Sequence, residues 1–132
     1  MRFKGVQRRF NKIFKFNNVS FYDDYAHHPN EIKATIKLAK LFITKGDDNE
    51  SKKSRLIAIF QPHRYSRVKQ FTREFAEELS KADFIYVTSI YGAGEVNEDQ
   101  ITSKIITDLI YKKNRNVSYI NNYYEVAQNI FE

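Results

Sequence analysis

Carboxylate, phenol and imidazole side chains are concentrated at residues 23–28 (DDYAHH), directly before Pro29. A short apolar run typical of a β-strand, residues 19–22, precedes this cluster, and apolar residues at helical spacing follow it. Pro29 suits the first position of a helix, because its missing N–H would have no partner there. The cluster is therefore predicted to lie where a strand ends and a helix begins, beside the partly positive N–H donors of that helix.

Two further polar clusters follow the next two predicted strands, at residues 61–67 (QPHRYSR) and residues 91–95 (YGAGE). If the strands are parallel, all three clusters lie along one edge of the sheet. Arg64 and Arg67 are about one helical turn apart, so their guanidinium groups can converge on a carboxylate or phosphate. Arginine is disfavoured at a helix N-terminus unless an anion neutralises it. The alternative is a solvated helix start.

Structural explanations exist for several of these residues. Asp24 can simply end a strand and accept backbone hydrogen bonds. His27 and His28 are adjacent and no third ligand at metal spacing follows them, so a metal site is not predicted.

The cluster at residues 91–95 holds G-x-G without the third glycine of a dinucleotide fingerprint, and the chain has no P-loop. The chain is therefore not expected to hold a triphosphate alone. Arg9 and the arginine before it can be a solvated pair at a strand start.

Apolar periodicity and turn residues predict the elements that position these clusters. Asn17 and Asn18 tolerate positive φ, and they predict a two-residue turn in a hairpin. Helices then alternate with strands, which predicts right-handed βαβ units. The predicted fold class is α/β, a three-layer Rossmann-like and mostly parallel sheet with helices on both faces and an N-terminal antiparallel hairpin. The predicted elements are a hairpin at residues 9–22, strands at residues 56–60, 84–90 and 117–120, and helices at about residues 29–44, 68–82, 101–109 and 123–130.

Composition limits the broader function classes. The chain has 132 residues, which predicts one domain over residues 1–132, and it has no cysteine, which fits a cytoplasmic protein. No apolar run approaches the ~20 residues of a membrane span, so no membrane partner is expected. The net charge of +6 comes largely from scattered lysines, with its densest run at residues 52–55 (KKSR). A solvated surface is therefore favoured, and a basic α/β module that binds nucleic acid is kept as an alternative.

The three clusters, together with residues 5–10 (GVQRRF), resemble the C-terminal domain of the Mur ligases that join L-alanine to UDP-N-acetylmuramate. These motifs cover nearly the whole chain. The resemblance implies an ATP-dependent ligase of peptidoglycan synthesis, cell-wall biogenesis, cell shape and cell division. It also implies that the chain is an excised fragment, without the UDP-sugar domain and the central P-loop domain. Ligases that recycle whole murein peptides share the region around residues 23–28, and they are the second alternative.

The resemblance also implies roles for individual residues. Arg9 and His28 would be catalytic, with Arg9 reaching the phosphates of ATP and Asp24 binding its ribose. The implied ligands of L-alanine are Tyr25, His63, Arg64, Arg67 and Ala93. Mg²⁺ would accompany ATP, with its ligands in the central domain and none in this chain. The expected partners are L-alanine, ATP, UDP-N-acetylmuramate and the enzyme's own N-terminal and central domains, with no nucleic acid. Since the roles are split between domains, the isolated chain is expected to be inactive.

Overall fold

The structure, a computed structural model, describes residues 10–45, 54–121 and 123–131. Its elements in chain order are β1 (Asn11–Phe16), β2 (Val19–Asp23), α1 (Pro29–Lys45), β3 (Ile57–Phe60), α2 (Tyr65–Leu79), β4 (Phe84–Val87), α3 (Lys104–Lys113), β5 (Val117–Tyr119) and α4 (Tyr123–Phe131). Several sequence predictions lie outside the described residues, namely those on Arg9, on the first part of the motif at residues 5–10 and on the lysines of the basic run. The polar composition of residues 46–51 predicts a loop, which also lies outside the described residues.

β1 and β2 form the predicted antiparallel hairpin. Asn17 and Asn18 have φ values of 50° and 63°, the left-handed pair that a tight two-residue turn requires. The register places Phe16 opposite Val19 and Asn11 opposite Asp23, with an irregularity between Lys12 and Phe14. β2 therefore ends on Asp23, at the start of the first polar cluster.

β3, β4 and β5 form a parallel sheet in that order. Both crossovers join neighbouring strands, and right-handed connections then place α2 and α3 on the same face. α2 accordingly packs against α3, and α1 packs against α2. The α/β class with parallel strands and an N-terminal hairpin is confirmed.

The strands differ from the prediction in two respects. Among the described residues β2 pairs with β1 alone, so the first cluster follows a hairpin strand and not a strand of the parallel sheet. Pairing across a two-residue turn closes a very short loop, which makes β1 the favoured partner. β4 ends at Val87 instead of residue 90, because its partner β3 ends at Phe60, whose carbonyl accepts a last ladder bond from the Thr88 amide.

The core lies between the parallel sheet and the helices. Val68, Phe75, Ile106 and Ile110 are fully buried, which matches apolar residues on the inner faces of α2 and α3. Ile105 precedes Ile106 in α3, yet the side chain of Ile105 is exposed and that of Ile106 is buried. Consecutive helical residues point about 100° apart, so only one of the two isoleucines can face the core. None of the described helices has the length and apolarity needed to cross a lipid bilayer.

Candidate functional site

Glu31 organises the start of α1. Its Oε1 accepts hydrogen bonds from the amides of His27 and His28, each at 3.1 Å. Partial burial by itself would raise the pKa of Glu31, but these amide bonds and the two imidazoles hold it below its usual value. Glu31 lies three residues after His28, at the position of the acidic half of a capping box. Glu31 fills it by satisfying two backbone donors that precede the helix.

Asp24 joins the hairpin to the loop that follows it. One carboxylate oxygen accepts the Phe10 amide at 2.8 Å and the other accepts the Ala26 amide at 2.7 Å. The structural explanation for Asp24, a carboxylate that accepts backbone bonds at a strand end, is therefore realised. Each carboxylate oxygen can accept more than one hydrogen bond, so these contacts leave acceptor capacity for a ligand.

The second and third clusters are joined through their backbones. The Tyr91 amide donates to the Pro62 carbonyl at 2.9 Å, and the Arg64 amide donates to the Tyr91 carbonyl at 2.7 Å. His63 and Tyr91 form an isolated parallel bridge beyond the ends of β3 and β4. Arg64 has a φ of 73°, a strained value for a residue with a side chain. Its amide bond to Tyr91 and its carbonyl bond from Val68 hold it there.

A row of four aromatic rings, here called the ring row, connects all three clusters. Its members are Tyr25, His27, His63 and Tyr91. Their successive ring centroids are 5.4 Å, 6.1 Å and 5.1 Å apart. The three clusters therefore meet at one place, although the first follows a different sheet from the other two. Tyr25 and Tyr91 are more than half exposed, at 51% and 54%, so the ends of the ring row are open to a ligand.

Positive charge surrounds His63 at the start of α2. Burial lowers the pKa of His63, and the charges of Arg67, His27 and Arg64 lower it further. Arg67 Nη1 donates to the His63 carbonyl at 3.2 Å, which folds this side chain back over the helix start. Arg64 is exposed. The local field is thus suited to a small anion beside His63.

An anion from the chain itself also lies at the start of α2. Glu95 accepts the Ser66 amide at 3.0 Å on one carboxylate oxygen and the Ser66 hydroxyl at 2.5 Å on the other. These bonds, and the nearby Arg64, lower the pKa of Glu95. Sequence reasoning assigned no role to Glu95 or Ser66. The available signal was the absence of any acidic residue in the first turn of α2, which predicts that another segment supplies a carboxylate.

The remaining predicted residues have the following positions. His28 is partly buried, and its ring contacts the ring of Phe71 edge-on at 5.8 Å, on the core side of the site. Ala93 has a φ of 54° in the loop that carries Tyr91 and Glu95. The position of Arg9 lies outside the described residues. Within residues 10–45, 54–121 and 123–131, no three His, Asp or Glu side chains form a group that could hold a metal ion.

The sequence matches the family described as "Mur ligase, glutamate ligase domain" over residues 8–131. The chain belongs to this family. It is 57% identical over 130 residues to UDP-N-acetylmuramate–L-alanine ligase of Prochlorococcus marinus subsp. pastoris, covering 98% of this chain and 28% of that protein. It is 47% identical over 111 residues to the ligase of the same name from Rickettsia rickettsii, covering 84% of this chain and 22% of that protein.

Solved structures of the family have the same fold. The UDP-N-acetylmuramate–alanine ligase of Thermotoga maritima matches with a TM-score of 0.65 and 28% identity, covering 92% of this chain and 23% of that one. A murein peptide ligase from Psychrobacter arcticus matches with a TM-score of 0.67 at 20% identity, covering 94% of this chain and 24% of that one. The second likeness shows the fold alone. The chain therefore spans 22–28% of the length of these relatives.

Proposed function

We propose that this chain is the amino-acid-binding and nucleotide-contacting domain of an ATP-dependent ligase that joins L-alanine to UDP-N-acetylmuramate. The observation that carries the proposal is the convergence of the three clusters through the ring row and the Arg64–Tyr91 backbone bond. That site combines fixed positive charge with open aromatic side chains. The name and high identity of the Prochlorococcus relative support the choice of reaction.

In this proposal the start of α2 holds the carboxylate of L-alanine. Arg64 and Arg67 supply guanidinium groups, which bind a carboxylate through two parallel N–H bonds. His63 has a lowered pKa, so at neutral pH it is a neutral imidazole that can donate one further N–H. Tyr25, at the end of the ring row opposite Tyr91, would contact the amino acid. Ala93 would limit the space for the methyl group of L-alanine.

The nucleotide is proposed to approach from the hairpin side. Asp24 would accept ribose hydroxyls with the acceptor capacity that its two backbone bonds leave free. Arg9 would offset charge on the phosphates of ATP, and His28 stays a proposed catalytic residue. Mg²⁺ accompanies ATP in such reactions and neutralises phosphate charge. The resemblance to the Mur ligases assigns its ligands to the enzyme's central domain.

The reaction requires precise placement of the alanine amine. ATP first phosphorylates the sugar carboxylate, which gives an acyl phosphate. The amine then attacks the acyl carbon, and phosphate leaves from a tetrahedral intermediate. A carboxylate clamp fixes the far end of L-alanine, so that its amine points at the reacting carbon. Because the P-loop that holds the triphosphate is assigned to the central domain, closure of the two domains assembles the site. The proposed location is the cytoplasm.

A chimera tests the proposal. This chain replaces the corresponding domain of the Prochlorococcus ligase, and phosphate release is measured with ATP, UDP-N-acetylmuramate and L-alanine. We expect alanine-dependent turnover, and we expect Arg64→Ala to raise the KM for L-alanine about tenfold or more through loss of a charged hydrogen bond. Arg73→Ala, which removes an exposed arginine later in α2, is the matched control. Unchanged KM and kcat in Arg64→Ala would show that the carboxylate is held elsewhere.

Experiments on the same chimera distinguish the proposed function from two alternative functions. A murein peptide ligase would use whole murein peptides instead of L-alanine, so a substrate panel distinguishes the two enzymes. A nucleic-acid-binding module would retain DNA or RNA on a filter at low salt and lose it steeply at higher salt. In the described part of the chain Lys69 pairs with Asp99 and Lys81 with Glu78, which favours dispersed and neutralised surface charge.

A further inference from the structure

The loop between Tyr91 and Glu95 is attached to the first turn of α2 at both of its ends. At one end, a Cβ added to Gly92 would lie 2.7 Å from Cε2 of Tyr65, so the loop backbone sits directly on that ring. At the other end, Glu95 accepts both the amide and the hydroxyl hydrogen of Ser66. The pair Glu95–Ser66 is called the loop clamp below.

Between these two attachments the loop has an unfavourable backbone conformation. Ala93 has a φ of 54° and Gly94 a φ of 89°, and the Glu95 amide donates to the Gly92 carbonyl at 3.1 Å. A left-handed conformation at a residue with a Cβ costs free energy and persists only when its surroundings hold it. A Cβ added at Gly94 would meet no atom within 4 Å, so packing does not hold this residue of the loop. The turn bond from the Glu95 amide and the attachments at the two ends of the loop supply the restraint.

We propose that Glu95 is a positioning residue for the amino-acid site. Through the loop clamp it holds Ala93 at a fixed height above the helix start that carries Arg64 and Arg67, and this height sets the size of the amino-acid side chain accepted there. The inference rests on the proposed function and assigns a role within it to the Glu95 carboxylate, which accepts hydrogen bonds from Ser66. Glu95 does not itself touch the substrate.

The contacts of the loop clamp favour local positioning over a contribution to global stability. Its side-chain bonds are exposed, and exposed polar pairs contribute little to the free energy of unfolding. The core cluster includes Val68 of α2 but neither partner of the clamp. The clamp also lies beside Arg64, whose charge lowers the pKa of Glu95. Breaking the clamp should therefore change the loop and its neighbouring arginine while the fold persists.

The first test uses the 132-residue chain as it stands. Backbone amide NMR and hydrogen exchange are compared among the unsubstituted chain, Glu95→Gln, Ser66→Ala and the matched control Glu98→Gln, which changes an exposed carboxylate in the same segment. We expect Glu95→Gln to speed exchange of the Ser66 amide and to increase motion at residues 91–95, with thermal unfolding unchanged. Glu98→Gln should have no effect. An undisturbed loop in Glu95→Gln, or loss of the whole fold, overturns the proposal.

The second test uses the chimeric ligase. We expect Glu95→Gln to raise the KM for L-alanine about tenfold and to lower discrimination against L-serine and L-2-aminobutyrate, with the KM values for ATP and UDP-N-acetylmuramate unchanged. Ser66→Ala should act in the same direction, and the double variant should be no worse than Glu95→Gln. A uniform loss of kcat with unchanged discrimination contradicts the proposal. An unsubstituted chimera that fails to ligate L-alanine instead contradicts the proposed function, while the NMR comparison still decides whether Glu95 holds the loop.

Discussion

At the scale of single residues, charge and burial around His63 set its protonation state. Burial partly removes its imidazole from water, and the charges of Arg67, His27 and Arg64 act on it as well. Both effects disfavour the charged form, so its pKa lies below the ordinary histidine value. A neutral His63 leaves the two arginines as the permanent cations of the site. Carboxylate binding should therefore vary little with pH near neutrality.

Arg67→Gln should raise the pKa of His63 towards its ordinary value, because Arg67 is the foremost of the charges that lower it. Titration of the His63 ring by NMR measures the effect directly. Arg64→Gln should give a smaller rise, since Arg64 follows both Arg67 and His27 in its influence. Arg115→Gln serves as a control because this guanidinium lies over Tyr111 at the end of α3. An equal shift of the His63 pKa in all three variants would show that Arg67 and Arg64 are not the charges that lower it.

Glu31→Gln should destabilise the protein at neutral pH by about 1 kcal/mol, the usual size of a helix-capping contribution. The folded-state pKa of Glu31 is lowered, so its stabilisation is present above its ordinary value of 4.5 and is lost as the pH falls through the folded-state value. Urea unfolding at pH 7 and pH 3 should show a difference between Glu31→Gln and the unsubstituted chain that shrinks at the lower pH. Glu74→Gln, at an exposed position in α2, is the control. A stability difference that grows as the pH falls would contradict the lowered pKa of Glu31.

At the scale of secondary-structure elements, short polar links hold the helix and strand ends in place. The side-chain amide of Asn114, after α3, donates to the carbonyls of Ser80 and Ala82 at 3.1 Å and 2.8 Å. Asn116 adds one bond to the Asp83 carbonyl at 3.2 Å. These bonds connect the end of α3 to the turn between α2 and β4. They therefore tie the segment that leads into β4 to the end of α3.

Asn114→Ala should lower the free energy of unfolding by about 2 kcal/mol, since two partly buried hydrogen bonds are lost at about 1 kcal/mol each. Urea denaturation with an unchanged m-value would measure this loss. Asn116→Ala, which removes a single exposed bond of the same kind, should cost less than half as much. Equal losses of unfolding free energy in Asn114→Ala and Asn116→Ala would contradict the larger contribution assigned to Asn114.

At the scale of the whole molecule, the chain covers only 22–28% of the length of its curated relatives. The proposed site lies on one surface and presents Tyr25 and Tyr91 to solvent. A ligase must exclude water from an acyl phosphate, because hydrolysis competes with attack by the amine. The proposed function therefore requires that a neighbouring domain cover the open ring row during turnover.

The isolated chain should not ligate. With ATP, UDP-N-acetylmuramate and L-alanine supplied, it should release no phosphate above the buffer background, because no P-loop is present to hold the triphosphate. The chimera under the same assay is the positive control. Alanine-dependent phosphate release by the 132-residue chain alone would mean that the division of roles between domains is wrong.

Local signals in the sequence were enough to predict most elements of the fold. The Asn17–Asn18 turn, the start of α1 at Pro29 and the strand at residues 57–60 all depend on neighbouring residues, so backbone preferences and apolar periodicity suffice to find them. The three clusters of side chains that could bind a ligand or react were also visible in the sequence, because polar side chains are easily recognised directly after apolar strands. Family membership followed from these same motifs.

Only the tertiary structure decided how the three clusters meet. The pairing of β2 with β1 and the order of β3, β4 and β5 depend on contacts between distant segments, which local periodicity does not encode. For the same reason, the sequence did not indicate that Glu95 would bond to Ser66 at a distance of 29 residues. Residue types along the chain determined which chemistry is available, and long-range packing determined which of these side chains act on the same ligand.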